Sequence, residues 1–145
     1  MPLTSLNLKN CKQVQDLTPL RGMLLTSLTL HYCQQVRDLT PLKGMPLKHL
    51  DLFGNLTTDL TVVKGMPLTS LDIAYCSELH DLSELEGMNL ETLALTARTI
   101  SKGMDVLRRM KTLKTVATHA GMGAGPTPYP AAEFWKKYDA GEFHK

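Results

Sequence analysis

The chain has 145 residues, 43% of them hydrophobic and 21% charged, with a formal net charge of +2. That length supports one elongated core, and so small a charge does not by itself imply a nucleic-acid partner. No apolar stretch is long enough to cross a membrane, the start MPLTSLNLKN lacks a basic and apolar leader, and an odd number of cysteines does not make a secreted disulfide framework. The expectation is a reduced, cytoplasmic chain.

From the first residues onward one phrase recurs: LTSLNLKNCKQVQDLTPLRGM, LTSLTLHYCQQVRDLTPLKGM, LKHLDLFGNLTTDLTVVKGM and LTSLDIAYCSELHDLSELEGM. A period of ~22 residues with leucines at fixed offsets is the mark of a stacked solenoid. Overlaid, the copies read L-x-x-L-x-L-x-x-C/N, with Leu3, Leu25, Leu47, Leu68 and Leu90 in one column and Leu6, Leu28, Leu50, Leu71 and Leu93 in the next. This is a leucine-rich repeat. The alternating L-x-L predicts one short parallel strand per repeat, leucines inward, on the concave face of an α/β repeat fold. Cys11, Cys33, Asn55 and Cys76 follow the strands as a structural ladder, expected to satisfy backbone groups where the chain turns out of the sheet.

The second half of each unit has room for one 3₁₀ or helical turn on the convex side. Thr18 and Thr40 are predicted N-caps, Pro19 and Pro41 suit the first helical position, and Gly22, Gly44, Gly65 and Gly87 end the turn. Repeat three is one residue shorter, between Asn55 and Asp59, which alters the convex loop and leaves the strand register intact. A fifth unit keeps its strand, but its KGMDVLRRM reads as a longer amphipathic helix with Met104, Leu107 and Met110 inward. LKTVAT is expected to be the sixth and last strand, which puts the solenoid at residues 1–118.

Residues 119–129, rich in Gly and Pro, are predicted to be an irregular connector. In the last part, 130–145, PAAEFWKKYDAGEF reads as a short helix ended by Gly141. Its Phe134, Trp135 and Tyr138 are expected to cap the open end of the solenoid, the alternative being a docking peptide. The acidic fourth repeat and the basic stretch after it read as neighbouring coils that screen one another, with phosphate binding as the alternative.

Repeats of the DLTPLKGMPLTSL type, followed by LTARTISKGMDVLRRMKTLKTV and then PAAEFWKKYDAGEF, resemble the leucine-rich repeat region at the C-terminus of many planctomycete proteins, including serine/threonine protein kinases. The resemblance covers essentially the whole chain. It implies a bacterial protein-protein interaction module that recruits a partner or substrate in signalling. It does not imply catalysis, because these residues contain no Gly-rich phosphate loop, HRD loop or DFG. Here a repeat strand follows Met1 at once with no capping helix, so the alternative is a self-assembly unit stacking through its first repeat.

Outward strand positions are mostly small and polar, except over repeats two to four. There His31, Tyr32, His49, Asp51, Phe53, Asp72 and Tyr75 gather, and aromatics flanked by charge are typical of partner-binding hot spots. The plainer alternative is that Tyr32, Phe53 and Tyr75 pack across the rim as filler. Asp51 and Asp72 are expected side by side, ~4.8 Å apart, but lack further ligands for a metal or a water-free pocket for acid–base work. No cofactor, metal or catalytic residue is therefore assigned.

Overall fold

The computed structural model describes residues 1–119 and 125–144. Four coils repeat one plan, a three-residue strand, a turn out of the sheet and a 3₁₀ turn on the opposite side, and a fifth keeps the strand but has its 3₁₀ turn at the strand exit and a short helix on the opposite side. The strands are β1 (Ser5–Asn7), β2 (Ser27–Thr29), β3 (His49–Asp51), β4 (Ser70–Asp72) and β5 (Thr92–Ala94). Their 3₁₀ turns are Thr18–Leu20, Thr40–Leu42, Thr61–Val63, Ser83–Leu85 and Ala97–Thr99. Strand β6 (Thr115–His119) continues the parallel series, so β1 to β6 lie in sequence order, as in a leucine-rich repeat solenoid.

Register is fixed by burial. Leu6, Leu28, Leu50, Leu71, Leu93 and Val116 are aligned partners on successive strands, and a slip of one residue would turn that column out of the core. The one-residue deletion in repeat three leaves this register unbroken, since Leu50 still pairs with Leu71. Behind the strands, Leu30, Leu52, Leu60, Leu79, Leu82 and Leu95 are fully buried in one continuous core.

The 3₁₀ turns are capped differently from the prediction. Thr18 and Thr40 are the first residues of their turns, and the caps come from aspartates two residues earlier. Asp16, Asp38, Asp59 and Asp81 each accept, through Oδ1, the N–H of Thr18, Thr40, Thr61 and Ser83 at 2.8–2.9 Å. A short carboxylate reaches the amide two residues on more easily than a threonine hydroxyl reaches past a following proline. Hydrogen bonding from the hydroxyls and then the backbone N–H groups of Thr18, Thr40 and Ser83 holds the Asp16, Asp38 and Asp81 carboxyls below their ordinary range, Asp81 at about 2 with help from Lys102.

The fifth repeat departs as expected by forming α1 (Met104–Arg109), with Val106 and Leu107 buried. After β6 the prediction of an irregular connector through 129 fails. Pro126–Pro130 form β7, antiparallel to β6, with Val116 paired to Tyr129 and Ala117 to Pro128. Prolines lack the N–H a central strand needs, but β7 is an edge strand, where proline is tolerated. Strand β6 is therefore not the last; residues 120–124 of that expected connector, and Lys145, lie outside the described residues.

Helix α2 (Ala131–Asp139) then folds over β6 and β7. Phe134 is fully buried against the core, with Trp135, Tyr138, Tyr129 and Phe143 packed around it. Arg108 of α1 pairs with Asp139 and lies 4.7 Å from the Trp135 ring centre, joining the two helices. Acidic and basic side chains of successive coils also pair: Asp81 with Lys102 at 3.0 Å, Glu91 with Lys114 at 2.9 Å and Glu86 with Arg109 at 3.7 Å.

Candidate functional site

Each strand exit makes the same turn, and this turn sets the outline of the concave face. Asn10, Tyr32, Gly54 and Tyr75 occupy one repeat position with φ between 56° and 69°. The ladder of backbone bonds continues into it, with Asn10 N–H to His31 O, Tyr32 N–H to Phe53 O and Gly54 N–H to Ala74 O at 2.8–2.9 Å. Left-handed backbone is unfavourable for side-chain-bearing residues, so two tyrosines here imply compensation from packing. Gly54 is required for a second reason: a Cβ at this point would fall 2.4 Å from the Tyr32 ring.

The compensation is an aromatic cluster along the strand exits. The His31 and Phe53 rings are stacked with centres 4.3 Å apart. Tyr32 meets both edge-on at 5.1 and 5.2 Å, and Tyr75 packs on Phe53 at 5.1 Å. His119 completes it from β6, 5.0 Å from Phe53 and 5.3 Å from Tyr75. Offset and edge-to-face pairs of this kind are worth about 0.5–1.5 kcal/mol each beyond the area they bury.

Phe53 was expected to project into solvent, and it does not: only 9% of it is exposed. In its outward column the next residues are Ala74 and Thr96, too small to fill the space, so Phe53 and His119 close it from either side. His119 was in that column in the sequence but two repeats distant from the predicted patch. The one cue to its membership was the pair of small residues between it and Phe53.

Of the seven predicted residues, His31, Tyr32, Phe53 and Tyr75 thus form a single cluster. Asp51 and Asp72 are register partners beside it, and His49 stands exposed at the start of β3. Asp51 Oδ2 is 3.2 Å from His31 Nδ1, and its Oδ1 accepts the Phe53 N–H at 2.9 Å. Asp72 accepts only the Ala74 N–H, at 2.9 Å. Burial, with Asp51 nearby adding to it, pushes the Asp72 carboxyl up to about 7 despite that hydrogen bond. With Ser27, Thr29 and Ser70 these carboxylates line a shallow depression of about 240 Å³. No group of three or more His, Cys, Asp or Glu side chains suited to a metal ion occurs among the described residues.

The structural ladder divides. Cys33 donates its S–H to Leu8 O at 2.9 Å and Cys76 to Leu52 O at 3.1 Å, so both thiols satisfy a carbonyl of the preceding coil. Burial pushes both thiols up, Cys76 to about 12. Cys11, only partly buried, lies 3.9 Å from Lys9 O. Asn55 was expected to be the best hydrogen-bonding rung and is not. Its side chain is 1% exposed, and neither amide atom has a partner among the described residues. It sits at the start of the shortened loop, where the chain takes a different path from Asn55 to Asp59.

No helix of the described residues is long and apolar enough to cross a membrane. No protein-family model matches the chain, and no curated protein matches it. A solved structure of internalin C2 from Listeria monocytogenes is similar at 22% identity, covering 80% of this chain and 71% of that one, with a TM-score of 0.40. The architecture rests on the coil itself, in which strand, exit turn and 3₁₀ turn recur four times and the in-register leucines run through five strands: the chain is a leucine-rich repeat solenoid in fold.

Proposed function

We propose that the chain is a non-catalytic protein-interaction module that binds a partner on its concave face, over β2 to β4. One observation carries this reading: a packed aromatic ridge, His31, Tyr32, Phe53 and Tyr75, stands beside two carboxylates on a sheet otherwise faced mostly with small and polar residues. Ordered rings lose little freedom when a partner covers them, and fixed carboxylates select charge. The partner this chemistry suits presents a basic or hydrogen-bond-donating side chain to Asp51 and Asp72 while covering Tyr32. The resemblance to repeats attached to serine/threonine kinases supports a recruiting role in signalling.

Phe53 and Tyr75 support the ridge, so truncating them would confound binding with stability. The test uses Tyr32→Phe, which keeps the ring in the cluster, His49→Ala and Asp51→Asn, the last keeping an acceptor for the Phe53 N–H. Each variant and the parent chain serve as bait in lysate from the source organism, with thermal unfolding as a control. A protein captured by the parent and lost by these variants at unchanged melting temperature supports the proposal. Equal capture by all of them sinks the concave site.

A second reading, self-association through the first repeat, is favoured by the 51% exposure of Leu3 next to β1, one edge of which is unpaired among the described residues. A monomeric mass by light scattering at micromolar concentration would exclude it.

A further inference from the structure

The ladder that joins successive coils uses a fixed set of donors and acceptors. Thr26 and Ser27 donate their N–H groups to Thr4 O, Thr69 and Ser70 to Lys48 O, and Glu91 and Thr92 to Thr69 O, at 2.7–3.2 Å. In the other direction Leu8 N–H bonds to Thr29 O and Asn10 N–H to His31 O, both at 2.8 Å, and later coils repeat the pair. On the free side of the first coil the same groups, the N–H of Thr4 and Ser5 and the C=O of Asn7 and Lys9, face no partner strand among the described residues. They are the template for one more parallel strand. The side chains repeat the point: Leu6, Leu8, Val14 and Leu20 are only partly buried, whereas their equivalents Leu28, Leu30, Val36 and Leu42 in the next coil are at most 1% exposed.

The charges select the occupant. At the opposite end of the array β7 closes the sheet, and Pro126, Pro128 and Pro130 alternate along it with no N–H to give, so that end of a second copy does not complement this edge. A second copy docked through its own first coil sets like charge against like. Lys9, Lys12 and Arg21 are exposed there against the single carboxylate of Asp16, and none of the three cations makes an ion pair among the described residues. Junctions farther along the array join opposite charges instead: Glu84 meets Lys64 at 3.6 Å, Asp81 meets Lys102 at 3.0 Å and Glu91 meets Lys114 at 2.9 Å. By the same rule the first coil calls for an acidic neighbour.

We infer that the free side of the first coil binds an acidic, leucine-bearing strand of another polypeptide, added parallel to β1. Backbone bonds to Thr4, Ser5, Asn7 and Lys9 hold the strand, its leucines extend the column that begins at Leu6, and its carboxylates meet Lys9, Lys12 and Arg21. The site uses the face that self-association would use and gives it a different occupant. It does not depend on the concave site over β2 to β4.

The test is a titration of the full ¹⁵N-labelled chain with two synthetic peptides, following amide resonances by NMR. The acidic probe copies residues 68–88 with Cys76→Ser, and so carries Asp72, Glu78, Asp81, Glu84 and Glu86 with no Lys or Arg. The control copies residues 25–45 with Cys33→Ser, which keeps the leucine spacing but sets Arg37 and Lys43 against Asp38. Saturable shifts of the Thr4 and Ser5 amides are expected with the acidic probe, at least about tenfold tighter than with the control, and about tenfold or more weaker in the Lys9→Glu, Lys12→Glu double variant. Both lysines are exposed, and an unchanged melting temperature checks that the variant keeps the fold. Absence of a saturable shift at Thr4 and Ser5 up to about 1 mM acidic probe overturns the proposal. Equal binding of the two peptides, or a double variant that binds as the parent does, overturns the acidic assignment. Shifts of these amides that grow with chain concentration alone, together with a dimeric mass, give the face to a second copy and overturn it too. Lysate capture by the concave-face variants is a separate readout, so either reading can fail without the other.

Discussion

Asp51 and Asp72 face each other as register partners on β3 and β4, yet their surroundings are opposite. Asp51 has His31 at 3.2 Å and a backbone N–H; Asp72 has a backbone N–H and makes no ion pair among the described residues. Asp51 thus has a charge partner and Asp72 has none among the described residues, and burial pushes the Asp72 carboxyl up to about 7.

Stability should carry the imprint of Asp72. Its folded value of about 7 lies above the ordinary carboxylate value of 3.8, so the native chain binds more protons than the unfolded one between these pH values. Stability therefore falls as pH rises through that window, by on the order of 2 kcal/mol once partial solvent access is allowed for. Asp72→Asn, which keeps an acceptor for Ala74, should remove the decline and be the more stable chain at pH 8. Urea midpoints from pH 4 to 8 measure this, and parallel curves for the two chains would refute it.

Gly54 and Gly22 should respond differently to alanine. Both have positive φ, 69° and 78°, but an added Cβ meets the Tyr32 ring at 2.4 Å in the first case and nothing within 4 Å in the second. Gly22→Ala should cost about 1 kcal/mol from backbone strain alone. Gly54→Ala should cost at least about 1 kcal/mol more, because the Tyr32 ring must leave its place. Equal denaturation midpoints for the two variants would show that the Tyr32 position is soft.

The aspartate caps predict an additive series. Asp38→Ala leaves the Thr40 N–H without its acceptor and should lower the melting temperature measurably, as loss of a helix cap does. Asp38→Asn, which keeps the oxygen, should cost less than half of that. Thermal melts of both chains test this, and equal losses would assign the effect to charge rather than to the hydrogen bond.

The three thiols should react in order of access. Cys11 is partly exposed, whereas Cys33 and Cys76 are buried and donate to carbonyl oxygens. In the native chain a maleimide should label Cys11 first. Cys76, its thiol pushed up to about 12, should be labelled only as fast as the coil opens. Mass spectrometry of timed digests reads the order; early labelling of Cys76 would contradict its burial.

The repeat was legible because every coil meets the same demand. Leu28, Leu50, Leu71 and Leu93 must each fill the same stacked space, so the period, the strand positions and the inward columns follow from spacing alone. What was not legible depends on how residues meet across coils. Strand β7 was hidden because prolines argue against strands, and only an edge next to β6 makes Pro126–Pro130 acceptable. The fate of Phe53 turned on empty volume above Ala74 and Thr96, which no single repeat reveals. Asp72 carries the same residue type and register as Asp51, and the burial that raises its carboxyl depends on how neighbouring coils close around it. The caps were misassigned for a local reason: threonine before proline has the composition of an N-cap, but the aspartate two residues earlier has the better reach.

The antiparallel return of β7 along β6 gives the array a direction. A stack of coils held by nearest neighbours melts from whichever end is least supported, and here the two ends are unequal. One carries a paired strand, a helix and a buried phenylalanine; the other has Leu3 half in solvent and a strand with a free side. Unravelling accordingly runs from β1 toward β6. Amide exchange should be graded along the described coils in that order, so that the aromatic ridge over β2 to β4 belongs to the half that opens first while β6, β7 and α2 belong to the half that holds.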